Sequence, residues 1–146
     1  MQLKGKTVVV TGGSDGIGRH ICLKLGAQGC HLAVLGRNQG RLDETATNTR
    51  EAGAARALGF ACDMRDLNQI NETVQAIEAE LGPVDILINN AGIWHQTGPL
   101  DRIAPQLIED TIATNLTGAI HLTRALLPGL RDRPEAAILN VVSKSG

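Results

Sequence analysis

The sequence predicts an α/β fold: a doubly wound parallel sheet of about five strands with helices on both faces. Three observations carry that expectation. Short β-rich runs alternate along the chain with stretches of helical periodicity. The first run, Thr7-Val8-Val9-Val10-Thr11, is apolar and β-branched throughout instead of alternating, as a strand covered on both faces would be. The segments between runs are long enough for right-handed β-α-β crossovers, and no repeat or low-complexity stretch interrupts them. The chain has 146 residues, 42% hydrophobic and 20% charged, which fits one globular domain, 1–146.

Each element follows in order. After the first strand comes a glycine cluster, then a helical stretch from about Gly16 to Gln28 with Ile17, Ile21 and Leu25 on one face and Gly29 as its stop. Cys30 to Leu35 reads as the second strand, with Gly36-Arg37-Asn38 as its exit loop. A helix follows from about Gly40 to Ala52, and Arg56 to Cys62 is the third strand. The next helix is capped by Asp66 and carries the stripe Leu67, Ile70, Val74, Ile77, Leu81 before Gly82-Pro83 stops it. Val84 to Ile88 is the fourth strand and leads into Asn89-Asn90-Ala91-Gly92. A long helix is expected from about Pro105 to Leu127, ended by Pro128-Gly129, with Ala136 to Val142 as the fifth strand.

Composition narrows the function classes. Lys plus Arg is 14 and Asp plus Glu is 15, so a net charge of -1 offers no footprint for nucleic acid or an anionic membrane. No apolar run approaches the ~18 residues that span a bilayer, and the N-terminus lacks the basic-then-apolar pattern of a secretory signal. Cys22, Cys30 and Cys62 are odd in number and form no C-x-x-C pair, which reads as buried small hydrophobes in a reducing compartment, and so as a cytoplasmic protein. His20, His31, His95 and His121 are dispersed, so no metal site is expected.

In a doubly wound sheet, ligands bind outside the carboxyl ends of the strands. That places chemistry at residues 11–18, 36–38, 63–64, 89–95 and 143–146. The first window reads Thr11-Gly12-Gly13-Ser14-Asp15-Gly16-Ile17-Gly18. Glycines there let the main chain turn sharply and approach a pyrophosphate, with free N–H groups and a helix N-terminus facing it. Arg19-His20 after Gly18 excludes a Walker loop, which needs Lys-Ser or Lys-Thr. The alternative is a glycine-rich turn with no ligand.

These residues resemble the short-chain dehydrogenase/reductase family. T-G-x-x-x-G-I-G near the N-terminus, N-N-A-G after the fourth strand, Asn115 in the long helix and Ser143 in S-x-x-G occur in the family's order across the whole chain. The resemblance implies a Rossmann sheet of strand order 3-2-1-4-5 and an NAD(P)-dependent oxidoreductase acting on a small carbonyl or alcohol, a homodimer or homotetramer when complete. Gly12, Ser14, Asp15, Gly16, Ile17 and Gly18 would then cradle the cofactor. Asp63 would bond the adenine amino group, and Asn90 and Gly92 would line the nicotinamide-ribose side. Asn90 could equally be a strand-end tie, as Asn89 is expected to be.

At the tip of the second strand NAD binders carry a carboxylate for the ribose 2′-hydroxyl. Here the tip is Leu35-Gly36-Arg37-Asn38, and Arg37 is placed to face a 2′-phosphate, so NADP is expected over NAD. Asp15 argues the other way, because many NADP users of the family carry a basic residue there. Arg37 as a solvated loop charge is the plain alternative. Asp85, at the far end of the sheet, reads as structural.

By resemblance Ser143 bonds the substrate oxygen and Asn115 holds a water of the proton relay. A strand-end turn residue and an exposed helical polar residue are their plain alternatives. The family's acid/base tyrosine and the lysine four residues beyond it should follow Ser143 by about a dozen residues, yet the 146 residues contain no tyrosine, and Lys144 is no substitute. The sequence is therefore expected to represent the N-terminal part, or the ordered part, of a longer enzyme, and to be inactive by itself. Its fifth strand would then be an apolar edge. A non-catalytic nucleotide-binding or regulatory module is the alternative. Trp94 and His95 could touch a substrate.

Overall fold

Apolar runs buried along their whole length build one parallel sheet. The computed structural model describes residues 1–94 and 98–143. Its strands are β1 (Thr7–Thr11), β2 (His31–Gly36), β3 (Ala57–Ala61), β4 (Ile86–Asn89) and β5 (Ala137–Asn140), in the order β3-β2-β1-β4-β5. Val9 of β1 pairs in parallel with Ala33 of β2 and Leu87 of β4, so β1 is central and the strand order reverses beside it. The expected order is thus the observed one.

Because side chains alternate faces along a strand, the sheet carries two cores. Val8, Val10 and Ile88 face α1 (Gly16–Ala27) and α2 (Gln39–Glu51), where they meet Cys22, Leu42 and Ala46. Val9, Leu35 and Leu87 face α3 (Leu67–Leu81) and α5 (Gly118–Arg131), where they meet Ile70, Ile77, Leu122 and Leu126. Both strand faces are therefore buried, which is why β1 needs no polar alternation.

Asp66 caps α3 as expected: its Oδ1 accepts from the N–H groups of Asn68 (2.9 Å) and Gln69 (3.1 Å). Ile70, Val74, Ile77 and Leu81 of the stripe are buried, whereas Leu67 is exposed in the first turn. All three cysteines are buried and unpaired, and burial pushes the Cys22 thiol up to about 12.

Two expectations are corrected. The inward face of α1 is Gly18, Cys22 and Gly26; Ile17 is 65% exposed, while Ile21 and Leu25 only flank the core. A Cβ at Gly18 would strike the Gly12 carbonyl and one at Gly26 the Thr49 carbonyl, so the small residues of that face let the helix lie close to the loop after β1 and to α2. The helix expected over 105–127 is instead α4 (Pro105–Ile112), a π-helical turn (Ala113–Thr117) and α5, which runs through Pro128 to Arg131. Leu126 and Leu130 are buried on either side of the proline, and their packing holds the helix together across the lost hydrogen bond.

β5 forms an edge, with Ile138 39% and Leu139 49% exposed. At the amino ends of the strands, Asp85 accepts from Thr7 N–H (2.9 Å) and Arg133 Nε (2.8 Å), with Lys6 Nζ 3.6 Å away. Its role there is structural, and it ties β4, β1 and the end of α5 together.

Candidate functional site

The carboxyl ends of β1 and β4 part at the reversal of strand order, and a cleft of about 490 Å³ opens there. That volume lies within the range of small-molecule sites. Its floor is made by hydrogen bonds that join the end of β1 to the end of β4, far apart in the chain. Thr11 ends β1, and its Oγ1 accepts from the N–H groups of Asn90 and Ala91, each at 2.9 Å. Asn90 returns the tie by donating from Nδ2 to the carbonyls of Thr11 (3.0 Å) and Gly12 (3.4 Å). The two strand ends are thereby clasped together.

The loop then turns into α1. Asp15 caps the helix by accepting from Gly16 N–H at 2.7 Å. Gly16 has φ +49 and open space where a Cβ would stand, so bare main chain faces the cleft. Gly18 is required for the opposite reason: a Cβ there would lie 2.6 Å from Asn90 Nδ2 and overlap the Gly12 carbonyl oxygen. The first turn of a twelve-residue helix thus presents its amide groups and positive dipole end to the cleft, a setting suited to a phosphate.

Gly12, Ser14, Asp15, Gly16, Ile17, Gly18, Arg37, Asp63, Asn90 and Gly92 all line this one cleft. They come from four separate loops, each following a strand. Arg37 is exposed just beyond β2. Asp15 lies 3.7 Å from Arg41 Nη1 of α2, so a cation offsets the carboxylate at the helix N-terminus.

Asp63 stands on the opposite wall. Its carboxylate accepts from Arg65, with Nε to Oδ1 at 3.0 Å and Nη2 to Oδ2 at 2.7 Å. That side-chain pairing holds the Asp63 carboxyl below the usual carboxylate range against the opposing effect of burial, with Arg37 adding a weaker pull in the same direction.

Among the described residues, Asn115 and Ser143 do not line the cleft. Asn115, in the π-helical turn, grips the loop that does: its Oδ1 accepts from Ile93 N–H (2.7 Å) and its Nδ2 donates to the Ile93 carbonyl (3.0 Å). Ser143 is exposed beyond the end of β5. Asn89 ties β4 to its neighbours, donating to Thr123 Oγ1 (3.1 Å) and Asn140 Oδ1 (3.0 Å). Trp94 is 70% exposed; His95 and Lys144 lie outside the described residues.

Sequence reasoning missed two residues of the site and the role of a third. Thr11 was visible as the threonine closing β1, but its double acceptor role depends on where β4 ends. Arg65 and Arg41 signal nothing alone, because their partners Asp110 and Asp15 are brought to them by the fold.

Comparison with known proteins places the chain among relatives. The sequence model of the short chain dehydrogenase family matches residues 6–146. The chain is 37% identical over 145 residues to the D-beta-hydroxybutyrate dehydrogenase of Cupriavidus necator, covering 99% of this chain and 55% of the relative. A metagenomic short-chain oxidoreductase crystallised in complex with NADP superposes with a TM-score of 0.91 at 33% identity, covering 98% of this chain and 64% of that one. NAD+-bound xylitol dehydrogenase superposes with a TM-score of 0.93 at 27% identity, covering 100% of this chain and 56% of that one. The chain spans about half the length of the curated relatives it matches.

Proposed function

Because the chain belongs to the short chain dehydrogenase family, we propose that it binds a nicotinamide dinucleotide, NADP in preference to NAD, and serves hydride transfer between that cofactor and a small carbonyl or alcohol. One observation carries the reading: ten residues from four loops converge on a single cleft whose floor is bare main chain at a helix N-terminus. The NADP complex of the metagenomic oxidoreductase and the NAD+ complex of xylitol dehydrogenase support a dinucleotide there.

The residues fit the parts of such a ligand. The loop from Gly12 to Gly18 holds the pyrophosphate with main-chain N–H groups at the helix N-terminus, where Gly16 N–H is shared with Asp15 Oδ1. Arg37 meets the 2′-phosphate of NADP with its two-pronged guanidinium, and Arg41 keeps Asp15 from opposing that charge. Asp63 accepts the adenine amino group. Asn90 and Gly92 border the ribose on the nicotinamide side, and Asn115 fixes the neighbouring loop through Ile93.

When bound, the nicotinamide would exchange a hydride with the substrate carbon. Ser143 would donate a hydrogen bond to the substrate oxygen, and Asn115 has a lone pair and an N–H to spare for a water. The proton itself needs an acid/base group of the tyrosine kind. The 146 residues contain no tyrosine, so by themselves they bind the cofactor without turning a carbonyl over. Three buried thiols and NADP-linked chemistry suit the cytoplasm.

Titration with NADPH and NADH, followed by nicotinamide fluorescence, tests the reading. NADPH is expected to bind at least about tenfold tighter, and Arg37→Asp should reverse the order, since a charged hydrogen-bond pair is replaced by like charge. Absence of binding by either dinucleotide would overturn the proposal; unchanged preference in Arg37→Asp would remove Arg37 from the phosphate site.

A further inference from the structure

Resting on the dinucleotide reading above, we infer that Arg65 is a positioning residue for base recognition: clamped between Asp63 and Asp110, it holds the Asp63 carboxylate as a fixed acceptor that selects a 6-amino purine over a 6-oxo purine.

Arg65 is bound on two sides. One edge of its guanidinium meets Asp63 through Nε and Nη2, and its main-chain N–H also donates to Asp63 Oδ1 at 3.0 Å. From the other edge, Nη1 lies 3.1 Å from Asp110 Oδ1 on α4. Asp110 is itself held by Gln106 Nε2 at 3.2 Å. A guanidinium anchored to a helix cannot swing with the loop, so Asp63 inherits the position of α4. The Asp63 main chain is pinned as well, since its N–H donates to Gln69 Oε1 at 3.0 Å.

The remaining bonding capacity of Asp63 sets its chemistry. An ionised carboxylate offers about four lone-pair sites and no donor. Arg65 meets them with three N–H groups: its main-chain N–H on Oδ1, Nη2 on Oδ2, and Nε shared between Oδ1 (3.0 Å) and Oδ2 (3.1 Å). Three donors against about four lone-pair sites leave one acceptor site for a ligand. The exocyclic amine of adenine can fill it. A hypoxanthine base presents a carbonyl oxygen at the same place, and two acceptors then face each other. The strong pairing with Arg65 keeps Asp63 from taking up the proton that would make it a donor.

The test uses reduced NADP and its hypoxanthine counterpart, both titrated into the protein by nicotinamide fluorescence. Wild type is expected to favour the 6-amino form by about tenfold, the worth of one hydrogen bond to a charged group. Arg65→Gln should bring the two affinities within about threefold of each other by weakening the adenine form alone, and Arg65→Lys should restore part of the gap. Asp110→Asn, outside the cleft lining, should narrow the gap by a smaller amount; it also serves if Arg65→Gln fails to fold. A wild-type ratio retained in folded Arg65→Gln, or in Asp110→Asn should that be the one that folds, would overturn the inference. Equal binding of both dinucleotides by wild type would overturn it while leaving the dinucleotide reading intact. Binding of neither would bring both down.

Discussion

Asp63 and Asp85 are two carboxylates with the same local chemistry at opposite ends of one sheet. Each is bonded to an arginine and to a main-chain N–H, and each is held below the ordinary carboxylate range. Their surroundings separate them. The Asp85 side chain is 3% exposed, and every described partner belongs to the frame: Thr7 N–H, Arg133 and Lys6. The Asp63 side chain is 25% exposed and looks into the cleft with an acceptor direction to spare. An Asp–Arg pair thus says little about function; its place relative to the carboxyl ends of the strands says a great deal.

The widest gap between the two should open on mutation. Asp85→Ala strands the buried Thr7 N–H and leaves Arg133 and Lys6 without their shared anion. A loss of about 3 kcal/mol is expected, or roughly 10 °C in Tm, with dinucleotide affinity unchanged. Asp63→Asn should do the reverse: Tm stays within a few degrees while NADPH binding weakens about tenfold. Thermal melts and fluorescence titrations on both variants check this. If Asp63→Asn unfolded the protein, or Asp85→Ala weakened binding at unchanged Tm, the division into frame and site would be wrong.

The sequence made the frame easier to read than the site. β1 is legible to the residue because a strand buried on both faces has no polar positions to confuse it. Asp66 is legible as a cap because capping is settled within four residues. The inward face of α1 was misread because Gly18, Cys22 and Gly26 repeat with the same period as Ile17, Ile21 and Leu25, one residue out of step, and small residues leave no hydrophobic stripe. Pro128 was misread because its cost is local whereas the packing of Leu126 and Leu130 is tertiary. In the site, the residues that line the cleft follow from strand-end positions and motif spacing. Thr11 and Asn115 stand in the family's motifs and Arg65 in none, but the partners through which all three hold the site (Asn90, Ile93 and Asp110) are distant in sequence, and no spacing rule finds those bonds.

Acid sharpens the comparison by a smaller amount. For Asp85, burial acts to raise the carboxyl, but the bonds from Thr7 and Arg133 and the charges of Arg133 and Lys6 outweigh it, so the folded-state value lies below the unfolded one of about 3.9. A depressed carboxylate stabilises the fold above the unfolded value, and that contribution is lost as pH falls through the folded value. The stability gap between wild type and Asp85→Asn should therefore be full at pH 7 and begin to close below about pH 4. Asp63→Asn should show the same sign with a smaller closure, because solvent screens its pair more strongly. Urea melts of both variants at a series of pH values measure the two closures. A gap for Asp85→Asn that stayed constant or widened toward low pH would mean that its carboxyl is not the charged anchor of the strand ends, and the contrast with Asp63 would rest on exposure alone.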